Sequence, residues 1–143
     1  MSKSNNEDTK NSEVVPEEFA KVVYDLTNDI LYTFPEYKDN MNIDLFNVKE
    51  TRDEDSIRAI YEHIKKVLPE RFFDILYENN DIFEFDYENN VAFLPGIDFK
   101  AIWNDQGITD NIKKVIWKYL QLILFAIIGS MENASSFGDT AKM

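Results

Sequence analysis

The sequence predicts a mainly α protein: a compact bundle of four to five helices around a hydrophobic C-terminal helix at about residues 109–131, with either a small β-hairpin or an irregular aromatic loop at about 82–94. Three observations carry this expectation. Apolar residues recur at three- and four-residue steps over 19–31 and 57–68, the period of a one-sided helix. From Tyr119 to Ile128 the only polar side chain is Gln121, and a helix apolar all round must be covered by a core, a partner or a membrane. Proline and glycine fall between these stretches rather than inside them.

Residues 1–15 are polar, acidic and without aromatics, which predicts a disordered leader before a single domain over 16–132. Pro16 suits a first helical position, and Glu17 and Glu18 complement the dipole of a first turn. Phe19, Val22, Val23, Leu26, Ile30 and Leu31 form the apolar stripe of that helix, and Pro35 stops it. Residues 38–52 carry Met41, Ile43, Leu45, Phe46 and Val48 without a period, so they read as a packed connector with room for a helical turn. Asp53, Glu54 and Asp55 cap the next helix and load its start with negative charge. Its stripe is Ile57, Ile60, Tyr61, Ile64, Val67 and Leu68, and Pro69 then opens a further helix to about Tyr77.

At Ile82–Glu88 the pattern changes to aromatic alternating with acid, a strand signal, and Asn89-Asn90 is a turn signal before Val91–Leu94. The rival reading is an irregular loop anchored by its aromatics. Pro95-Gly96 ends the segment, Asp98 caps a short helix through Trp103, and Gly107 closes it or forms the next turn. Thr109 caps the last helix, whose first turns carry Lys113, Lys114 and Lys118. Its apolar run is shorter than the roughly 20 residues of a membrane span and favours burial in the core. That burial asks for a hydrogen-bond partner for Trp117, Tyr119 and Gln121. Residues 133–143 read as a tail or as the start of a further C-terminal region.

Composition restricts the function classes. The 143 residues are 44% hydrophobic and 29% charged, enough for one globular core. Twenty-seven acidic residues against fifteen basic ones give a net charge of −12. That opposes nucleic acid, whose binding rests on basic clusters at phosphates. The absence of cysteine removes disulfides, thiolate metal sites and thiol nucleophiles. No apolar stretch precedes Val14, so a signal peptide is not expected and a cytosolic setting is.

No phosphate-binding glycine loop, metalloprotease motif or calcium-loop spacing occurs, so no catalytic residue, cofactor or metal ligand is expected. Glu78, Asp81, Glu84, Asp86 and Glu88 read as a solvated acidic face. His63, the single histidine, reads as a helix-surface or boundary residue. The residues expected to meet a protein partner are Phe83, Phe85, Tyr87, Phe93 and Trp103, because aromatics ringed by polar groups make interface anchors. Self-association is the other form of that expectation. Two competing classes remain open: an enzyme subunit whose carboxylates Asp81, Glu84 and Asp86 gather in space, and a peripheral membrane protein using the last helix.

Leu31–Tyr37, Leu68–Tyr77, and Phe93–Phe99 leading to Ile116–Phe125 together resemble an uncharacterised protein family of the nucleocytoplasmic large DNA viruses, the giant viruses. The resemblance covers roughly residues 17–143 and includes no catalytic motif. Members of that family are longer, with acidic helical sequence after the stretch that matches Ser136–Asp139. It implies a viral protein acting in a cytoplasmic factory or packaged in particles. With the residues themselves, it points to a non-enzymatic interaction or accessory module.

Overall fold

The computed structural model describes residues 14–84 and 90–135, with 130–135 as helical backbone. The expected leader up to residue 13 and the tail from residue 136 lie outside the described residues. The fold is mainly α: α1 (Glu17–Thr33), α2 (Ile43–Thr51), α3 (Glu54–Val67), α4 (Phe72–Leu76), α5 (Phe99–Trp103) and α6 (Asp110–Ser135). Short 3-10 turns lie at Pro35–Lys38, Leu68–Arg71 and Asn80–Phe83. No strand occurs among the described residues.

Local chemistry sets the helix starts. Asn42 begins α2 by accepting from the amides of Asp44 and Leu45. Asp53 begins α3 by accepting from Ser56 N, and Asp98 begins α5 by accepting from Ala101 N. Thr109 Oγ1 accepts from Ile112 N at the start of α6. Pro16 stands just outside α1 in extended geometry, so the helix proper begins at Glu17. At Gly96 the backbone has φ +82°, and a Cβ there would meet Asn42 Cβ at 3.4 Å. The turn therefore needs glycine for its dihedral, while the contact with the α2 cap would itself be an ordinary one.

Helix α1 packs against α6 and α2, α2 packs against α3, and α4 lies against α6. One apolar core joins them. Phe19 of α1 meets Tyr61 of α3 edge to face at 4.9 Å, and both are fully buried. Arg52 ends α2 in the left-handed region at φ 54° and lays its guanidinium 4.0 Å over the ring of Tyr24.

Three expectations change. The connector forms a full helix, α2, in which Leu45 and Val48 are buried while Ile43 and Phe46 face outward. Pro69 sits inside a 3-10 turn that continues from α3, so α4 begins only at Phe72, although it ends at Leu76 close to the expected Tyr77. The expected first strand does not begin at Ile82: Ile82 and Phe83 lie in the Asn80–Phe83 turn, both fully buried, and residues 85–89 lie outside the described residues. A strand would have pointed consecutive residues to opposite faces, whereas this turn sends both inward.

Thr27 is a buried polar residue on α1 whose Oγ1 has no hydrogen-bond partner among the described residues. An orphaned hydroxyl costs about 1–3 kcal/mol, and an apolar group of the same shape removes that cost. Thr27→Val is therefore expected to stabilise the fold by about 1 kcal/mol, raising the thermal midpoint by roughly 4 °C. An unchanged or lower midpoint would mean that the hydroxyl is satisfied.

Candidate interaction surface

The described residues expected to recruit a partner, Phe83, Phe93 and Trp103, lie instead in the core. Phe83 and Phe93 are fully buried and Trp103 is 5% exposed. Phe83 stacks on Trp103 at 4.5 Å, Trp103 meets Trp117 of α6 edge to face at 5.6 Å, and Phe93 meets Phe99 at 5.6 Å. Asn104 Nδ2 donates to the carbonyl of Phe83, and Trp117 Nε1 donates to Asn80 Oδ1, so polar atoms lock the cluster as well. These three aromatics hold α5, α6 and the Asn80–Phe83 turn together and are not available as surface anchors. Phe85 and Tyr87 lie outside the described residues, as does Asp86. Asp81 lies within the same turn and Glu84 just after it, and no group of three metal-ligating side chains occurs among the described residues. His63 Nε2–H donates to the Ala92 carbonyl at 2.6 Å, which ties α3 to the strap leading into Pro95-Gly96.

Apolar surface lies elsewhere. Helix α6 buries Ile116, Trp117, Leu120, Ile123, Leu124 and Ile127 on one side. The opposite side carries Val115, Lys118, Leu122 and Phe125, and Leu122 and Phe125 are 43% and 53% exposed. No helix among the described residues is long and apolar enough to cross a membrane. On one flank of this outer face Tyr119 donates its hydroxyl to Asp29 Oδ2 of α1. Burial, and then the bond and charge of Asp29, raise the pKa of that phenol, so it stays a donor through the neutral range. On the other flank Gln121 Nε2 donates to the carbonyl of Ile75 and to Glu78 Oε2. Both polar tips and the lone glutamine of the apolar run thus find partners, and those bonds clamp α6 between α1 and α4.

The flanking helix α4 adds exposed rings. Phe73 and Tyr77 are parallel at 6.4 Å and mostly exposed. Glu78 just beyond them is held in the left-handed region at φ 54° while its carboxylate meets Gln121. Gly129, four residues after Phe125, has nothing among the described residues within 4 Å of where its Cβ would stand. A small cleft of about 160 Å³ opens beside Val115 and Tyr119, against Leu26, Asp29 and Phe34. A wider groove of about 640 Å³ lies at the far end of α1, floored by Ala20, Val48 and Ile57 and rimmed by Glu17, Lys21 and Arg52. Its rim mixes both charges and presents no convergent set of polar groups.

No family model, curated protein or solved structure matches this chain.

Proposed function

We propose that this chain is a protein–protein interaction module without chemistry of its own, and that it docks through the outer face of α6. The observation that carries this reading is the exposure of Leu122 and Phe125 on a helix whose other side is fully packed. Scattered apolar residues are ordinary on a protein surface, but neighbours on one helix face with stacked aromatics on the adjoining helix make a patch of the kind that marks interfaces. Exposed Leu122, Phe125 and Phe73 make apolar contact the main recognition that this surface offers. The resemblance of residues 17–143 to a family of large DNA viruses extends the reading to an accessory protein of the infected cell.

The test is a photo-reactive amino acid placed singly at Phe125, at Phe73 and at Tyr32, which is 88% exposed on a different helix, α1. In cells expressing the full chain, adducts of discrete mass are expected at positions 125 and 73 and not at 32. Equal labelling at all three positions, or none at any, would overturn the reading.

A further inference from the structure

We infer that the partner on this face is a second copy of the chain, with α6 laid antiparallel on α6 across a twofold axis. This rests on the interaction reading above and names its occupant. The outer residues Asn111, Val115, Lys118, Leu122, Phe125 and Gly129 follow alternating steps of four and three, the spacing of a coiled-coil seam, while the buried face of the same helix is already occupied.

Direction follows from three features of that seam. In a parallel pair Lys118 would face Lys118, a like-charge contact beside apolar Val115 and Leu122. In an antiparallel pair centred between residues 123 and 124, Leu122 faces Phe125 and Lys118 faces Gly129. The open space at Gly129 then receives the methylene stem of the partner's lysine. Exposed Lys114 and Lys118 also come to lie along the C-terminal half of the facing helix, where its dipole is negative. A twofold axis uses the same patch on both copies, so one self-complementary strip is sufficient. Phe73 on the helix bonded to Gln121, and Tyr77 just beyond its end, add exposed rings beside the seam.

The chain contains no cysteine, so introduced thiols report this pairing alone. Full-length Lys118→Cys and Gly129→Cys proteins are mixed under mild oxidation, and each is also oxidised by itself. The mixed disulfide is expected to form about ten-fold faster than either homodisulfide, because docking raises the local concentration of the facing pair. Light scattering of the unsubstituted chain should show twice the 16.8 kDa chain mass at high concentration. Rapid homodisulfide from Lys118→Cys would overturn the antiparallel arrangement. A single-chain mass at every concentration would overturn self-pairing altogether. In that event photo-adducts at Phe125 of some mass other than a dimer would leave the interaction reading standing, and their absence would remove it too.

Discussion

Phe83→Ala is expected to cost about 4 kcal/mol of folding stability, the upper range for removing a buried aromatic ring. Phe83 is fully buried, and four other rings surround it: Trp103 at 4.5 Å, Trp117 at 5.3 Å, Phe93 at 6.2 Å and Phe99 at 6.4 Å. Rigid rings cannot slide into the void as aliphatic chains do, so the cavity remains and its lining loses contacts. Typical domains hold only about 5–15 kcal/mol in total, so this one truncation removes a large share. Urea unfolding followed by tryptophan fluorescence reads it directly, since Trp103 and Trp117 both border the ring. The matched control is Phe125→Ala, expected to shift stability by no more than about 0.5 kcal/mol because that ring is half exposed. A Phe83→Ala protein as stable as its parent would restore Phe83 to the surface role that its sequence context suggested.

The double substitution Leu122→Glu with Phe125→Glu is expected to leave the thermal midpoint within a few degrees while weakening self-association at least about 100-fold. Each glutamate stays hydrated in the monomer but meets apolar surface and another carboxylate in the dimer, at a cost of several kcal/mol. Salt discriminates further. Two chains each carrying −12 repel one another, and ions screen that repulsion over about 10 Å at 0.1 M. The parent is therefore expected to associate more tightly as salt rises, and the double variant to stay monomeric throughout. Sedimentation velocity over a salt series measures both. Loss of cooperative melting in the double variant would show instead that this face belongs to the fold.

Much of the helical frame was legible because its signals are local. Prolines, the acidic first turns and the caps at Asp53, Asp98 and Thr109 act within one turn, and the stripes of α1 and α3 bury the residues their spacing marks, except for half-buried Val22. Helix α2 was harder. Its Ile43 and Phe46 point outward beside buried Leu45 and Val48, which scrambles the apolar period; only Asn42, two residues before Asp44, carried a capping signal. The aromatic segment misled for a different reason. Alternation of aromatic with acid has the period of a half-exposed strand, but the rings of Phe83 and Phe93 are drawn inward by Trp103, Trp117 and Phe99, partners distant in sequence. The outer face of α6 could not be read from hydropathy, because Leu122 and Phe125 differ little from buried Leu124 and Ile127. What separates them is which sides α1 and α4 cover, fixed by the bonds from Tyr119 to Asp29 and from Gln121 to Ile75.

The measurement closest to the central claim is the solution mass of the unsubstituted chain by light scattering over a concentration series, with thermal unfolding of the same samples. A bundle closed by its own aromatic core, with an adhesive outer face on α6, predicts a cooperative melt at every concentration and a mass rising from one chain to two. A single-chain mass throughout would contradict the self-complementary face. A melt that becomes cooperative only once the mass has doubled would contradict the closed core.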